Sequence, residues 1–158
     1  MKTHLKIVAA CIGLIAALPA QEKKSGSVAG PEYYPMPSTG GAALPFSGAV
    51  KVGDMLYVSG QIGNQSGTLT LVPGGIVPEA RRALENLKEI LEKHGSSLDT
   101  VVKCTLFMAD MKEWAAFNEV YREFFKTNLP ARSALGVNGL VLGARVELEC
   151  IAFVPPKK

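Results

Sequence analysis

Histidine is almost missing from this chain: there are two, His4 and His94. A histidine-based metal centre, or a nucleophile activated by a histidine base, has little to be built from. Cysteine is scarce too, and Cys11, Cys104 and Cys150 lack the paired spacing of a zinc site. Neither sign of charge dominates, with 17 Lys and Arg against 14 Asp and Glu. With no basic stripe in the sequence, there is no electrostatic case for a nucleic-acid partner. Long apolar runs are missing except for Ile7 to Leu18, which is too short to span a bilayer.

That one run has its own explanation. Lys2 and Lys6 precede it, and Leu18-Pro19-Ala20 places a small residue ahead of polar Gln21-Glu22-Lys23-Lys24. A basic start, an apolar middle and a small-residue boundary read as a secretory signal peptide over residues 1–20. The expectation is export to the periplasm or beyond the cell, with no membrane attachment after cleavage. Val8-Ala9-Ala10-Cys11 also resembles a lipoprotein cleavage box. Against lipid anchoring at Cys11, the apolar run continues seven residues past it. Loss of the leader removes two lysines and leaves fifteen basic against fourteen acidic residues. Residues 21–42 cluster Gly, Pro and Ser without periodicity and read as an extended tether, with Tyr33-Tyr34 able to cling to the domain surface. Residues 43–158 then form a single domain with an ordinary core.

Within that domain, Phe46 to Lys51 and Met55 to Ile62 read as strands joined by Val52-Gly53-Asp54. A loop rich in Gly and Thr follows over residues 63–77. Pro78 to His94 has a helical stripe of Ala80, Ala83, Leu84, Leu87, Ile90 and Leu91, with Gly95 at the stop. His94 is expected to be a surface cation at the helix end. Thr100 to Ala109 reads as a strand. Asp110 and Glu113 then form a capping-box-like start to a second helix, whose Trp114, Phe117, Tyr121 and Phe124 are expected in the core. Two more strand-like runs, Leu129 to Leu135 and Arg145 to Phe153, flank a turn holding Gly139 and Gly143, as in a hairpin or a neighbouring pair. The order predicts an α+β fold, two helices against one partly parallel sheet.

Those last two runs carry charge where a half-buried strand would be apolar. Glu147 and Glu149 alternate with Val146, Leu148 and Cys150, so both carboxylates share one face. Arg132 follows Pro130-Ala131. It could tie the strands together through Glu147 or Glu149, or its planar fork could hold a substrate carboxylate.

Pro130-Ala131-Arg132-Ser133 with Val146-Glu147-Leu148-Glu149-Cys150-Ile151-Ala152 resembles the signature of the RidA (YjgF-type) family of enamine and imine deaminases. Leu56 to Ile62, Ala83 to Leu87, Val102 to Asp110 and Phe117 to Tyr121 resemble other elements of that family in the right order, over about residues 43–154. The resemblance implies a chorismate-mutase-like mixed sheet with two helices on one face, assembled as a homotrimer with pockets at subunit interfaces. It also implies cofactor-independent hydrolysis of small 2-imino or enamine acids to 2-oxo acids and ammonia, with no metal. By the same resemblance, Arg132 anchors the substrate carboxylate and Glu147 positions water or shuttles a proton. Ser59 and backbone near Gly60 complete the water's hydrogen bonds. Phe46 stands where the family carries a tyrosine and so lacks its hydroxyl. Asn118 matches a family position on the second helix without an assigned step. Ala134 stands where many relatives carry cysteine. The alternative is a binding or chaperone-like module that uses the Arg132 pocket for a small carboxylate without turning it over. Cys104 and Cys150 fall on strands that the resemblance makes neighbours, and both are expected as free thiols despite export.

Overall fold

The computed structural model describes residues 30–36 and 44–156. The leader, Cys11 and most of residues 21–42 lie outside the described residues. Six strands and two longer helices follow one another as β1 (Glu32–Pro35), β2 (Ser47–Val52), β3 (Met55–Ile62), α1 (Ile76–Lys93), β4 (Val101–Met108), α2 (Trp114–Phe124), β5 (Ala131–Gly136) and β6 (Val146–Phe153). They make one sheet of order β1-β2-β3-β6-β4-β5, parallel only between β4 and β5. The parallel pair is the one joined through α2, as a crossover connection requires.

This order corrects one expectation. β5 and β6 are neither a hairpin nor neighbours, because β4 lies between them. Alternation specifies which face a side chain takes, and it carries no information on which strand lies alongside.

Alternation also builds the core. Val146, Leu148, Cys150 and Ala152 of β6, with Cys104, Leu106 and Met108 of β4, point to one side and are buried. There they meet Leu84, Leu87 and Leu91 of α1 and Phe117, Val120 and Tyr121 of α2. The other face carries Tyr57, Thr105, Glu147, Glu149 and Phe153, and among the described residues no helix covers it. Cys104 and Cys150 are register partners, buried and unbonded, and burial pushes both thiols up in pKa.

α1 begins two residues ahead of Pro78 and ends in a Schellman motif: Ser96 N–H donates to the Leu91 carbonyl at 2.9 Å, and Gly95 N–H to Glu92 at 3.2 Å. Gly95 has φ +78°, the left-handed value this stop demands. His94 is not the free surface cation expected. Tyr34 stacks on its ring at a centroid distance of 4.0 Å, and burial, with Lys93 beside it, lowers its pKa. That same Tyr34 belongs to β1, which pairs antiparallel with β2, so part of the expected tether is an edge strand of the sheet.

α2 differs at its start. A 3-10 turn, Met111–Glu113, comes first, and the Asp110 carboxylate accepts from the Lys112 N–H at 2.9 Å. Glu113 does not close a capping box; it binds the Arg145 guanidinium instead. Trp114 is not core: 42% of it is exposed, whereas Phe117 and Tyr121 are buried.

Candidate active site

β3 is irregular where it meets β6. Val58 pairs with Cys150 and Gln61 with Leu148, so Ser59 and Gly60 together face Glu149, a β-bulge. The buried Gln61 side chain holds this bulge: its Nε2 donates to the carbonyls of Ser59 at 2.9 Å and Gly60 at 3.1 Å. Ser59 Oγ donates to the Ser47 carbonyl at 2.7 Å. Its proton is therefore committed to β2, while its lone pairs stay open to a donor. Gly60 leaves the space that the Glu147 side chain occupies. A β-carbon there would overlap a carboxylate oxygen of Glu147 and come within 2.7 Å of its carboxyl carbon.

Glu147 thus lies directly over the bulge, on the sheet face that no helix covers. Partial burial, helped by the nearby Glu149 charge, raises its pKa above the usual carboxylate value. Among the described residues it forms no ion pair. The start of its strand is tied down from two directions. Arg145 N–H donates to Oε2 of buried Glu79 on α1 at 2.9 Å, and Arg145 Nε lies 2.9 Å from both Glu113 carboxylate oxygens.

Arg132 stands elsewhere. Its register partner is Cys104, which pairs in turn with Cys150, so Arg132 lies in a row belonging to the helix side of the sheet. There its Nη2 donates to Asn118 Oδ1 at 2.7 Å. The guanidinium carbon lies 4.6 Å from the Tyr121 ring centroid, 5.8 Å from Phe117 and 5.9 Å from Trp114. Cation–π attraction and the Asn118 bond orient the fork. Tyr121 is itself fixed through its hydroxyl, 3.5 Å from Cys104 Sγ, and burial drives its pKa well above that of a free phenol. Arg132 has no carboxylate partner among the described residues, so it is not a tie to Glu147 or Glu149.

The residues singled out in the sequence thus fall into two groups. Glu147, Gly60 and Ser59 come together on the uncovered face, with Phe46, 51% exposed, just before the Ser47 that holds Ser59. Arg132 and Asn118 come together at the sheet edge beneath α2. The two groups lie on opposite faces. Gln61, Trp114, Tyr121 and the Glu113–Arg145 pair were not singled out as site residues. The signal for two of them was present: Trp114, Asn118 and Tyr121 recur at helical spacing on one side of α2.

An arginine fork without a carboxylate partner among the described residues, and a raised carboxyl over a glycine bulge, thus lie on one six-stranded α+β sheet. The family model described as "Endoribonuclease L-PSP" matches residues 38–154. The chain belongs to that family, the RidA (YjgF-type) proteins. The mouse protein named 2-iminobutanoate/2-iminopropanoate deaminase is 46% identical over 112 residues, which cover 71% of this chain and 83% of that protein. The human protein of the same name is 43% identical over 116 residues, covering 73% and 85%. Among solved structures, RidA from an Antarctic Psychrobacter superposes with a TM-score of 0.68 at 36% identity, covering 77% of this chain and 94% of that one.

Proposed function

We propose that this chain hydrolyses small 2-imino acids to 2-oxo acids and ammonia, at sites shared between copies of a homotrimer. What supports this most directly is the Glu147 carboxyl, raised in pKa and seated on the Gly60 bulge, with no ion-pair partner among the described residues. The names of the mouse and human relatives favour the same reaction.

The chemistry follows from the groups. Arg132 receives the substrate carboxylate through two parallel hydrogen bonds, its outer N–H groups being free of competing carboxylates. Glu147, ionised, holds a water against the C2 carbon of the protonated imine and accepts a proton as the water oxygen bonds to C2. The proton passes to the nitrogen. The C2–N bond then breaks, ammonia leaves, and Glu147, ionised again, takes the remaining hydroxyl proton as the 2-oxo acid forms. Ser59 and the bulge backbone supply further contacts to the water. No step calls for a cofactor.

Arg132 and Glu147 cannot meet within one chain, because the sheet separates them. A second copy that lays its Arg132 edge against the uncovered face of the first would bring them together. That face also exposes the apolar rings of Tyr57 and Phe153, which favours burial against another subunit. Coupled release of ammonia from 2-imino acids generated in place tests the activity. Binding of 2-oxo acids without ammonia release would support a non-catalytic module. Export remains part of the reading: the protein recovered from its native compartment should begin at Gln21 by mass spectrometry, and a lipidated chain beginning at Cys11 would contradict it.

A further inference from the structure

We propose that Trp114 decides which imino acids the site accepts, by offering an apolar wall beside Arg132 to substrate side chains longer than ethyl. The inference rests on the reading of Arg132 as carboxylate anchor. It starts from a misfit in α2. Trp114 is in helical phase with buried Phe117 and Tyr121, yet it stays 42% exposed, and it is the only tryptophan in the chain. Its ring centroid is 5.9 Å from the Arg132 guanidinium carbon, so a molecule held by that guanidinium lies within reach of the indole.

The ground beyond Arg132 is also apolar. Ala134 and Gly136 follow at two-residue steps along β5 and therefore share the side that Arg132 takes. Ala134 packs on the core, and Met111, 44% exposed, sits against Gly136, where a β-carbon would come within 2.9 Å of Met111 Cγ. From Arg132 a strip thus runs past Trp114 toward Met111, floored by the two smallest residue types. Trp114 is held in place from behind, because Glu113, the residue before it, is bound by Arg145.

The carboxylate and C2 of every 2-imino acid are alike, so only the side chain can be selected. With the carboxylate on Arg132, a side chain of three or more carbons can lie along this strip. Each methylene fully removed from water there strengthens binding about fourfold.

The test is calorimetric titration of the intact protein with the product acids pyruvate, 2-oxobutanoate, 4-methyl-2-oxopentanoate and phenylpyruvate. Wild type is expected to bind 4-methyl-2-oxopentanoate about tenfold or more tightly than pyruvate, since burial on an open strip is partial. Trp114→Ala should bring that ratio to within about twofold of one, and Trp114→Phe, which keeps a ring and guards against a folding defect, should retain most of it. An equal affinity for all four acids in wild type overturns the inference. So does a Trp114→Ala loss of the same factor for every acid, which would make Trp114 a positioning residue for Arg132. If wild type binds none of the acids, the carboxylate-anchor reading fails first, a result told apart because it appears before any variant is made.

Discussion

Arg132 and Glu147 differ in how they are held, and their substitutions should fail differently. Asn118 and Tyr121 orient the Arg132 fork, so Arg132→Lys keeps the charge and loses the geometry. Both Arg132→Lys and Arg132→Ala should lose about 2–4 kcal/mol of transition-state binding, a fall of roughly thirtyfold or more in kcat/KM in the ammonia-release assay. Glu147→Gln should instead act on kcat, by about 10²–10⁴-fold, with little change in KM. In wild type, kcat should rise with pH through a value above the usual carboxylate range, and this limb should vanish in Glu147→Gln. Stability should move the opposite way. Because folding raises the Glu147 pKa, the stability this group contributes is present below its unfolded value near 4.5 and is lost as pH rises through the folded pKa. Glu147→Gln should therefore melt higher than wild type at pH 7, and the difference should shrink toward pH 4. A variant that melts lower at pH 7 would mean that Glu147 makes a stabilising contact.

At the scale of elements, the site depends on a bulge, a helix start and a strand edge. Gly60→Ala puts a β-carbon where the Glu147 carboxylate lies. Displacing that carboxylate by about 1 Å should lower kcat/KM on the order of 10²-fold, at a stability cost of about 1–3 kcal/mol. Wild-type rates in Gly60→Ala would show that the Glu147 position over the bulge does not matter. The bulge was not legible as a bulge, since Ser59-Gly60 lies inside an otherwise regular run of strand residues. What could be read was charge inside alternating strands, and it drew attention to Arg132 and Glu147. Their arrangement could not be read, because β4 enters between β5 and β6 from a distant part of the chain. Periodicity likewise put Trp114 in phase with Phe117 but did not fix its depth: it opens α2, at the first turn, and stays exposed. Tyr34 shows the converse. Its segment lacks a strand-like pattern, yet pairing with β2 and stacking on His94 make it an edge strand.

For the whole molecule, the separation of the two half-sites is the feature with most consequence. One chain presents Arg132 under α2 and Glu147 on the bare sheet face, and the proposed reaction needs both at one imine. In the proposed homotrimer, a closed ring of three copies would satisfy each half-site with its neighbour's complement. The direct measurement is complementation between two inactive variants, Arg132→Ala and Glu147→Gln, mixed in equal amounts through reversible unfolding and checked for hybrid trimers by native mass spectrometry. In a random hybrid population about a quarter of the interface sites receive Arg132 from one copy and Glu147 from the next, so ammonia release should recover to roughly a quarter of the wild-type rate. Verified hybrid trimers that stay as inactive as their parents would contradict a site shared between copies.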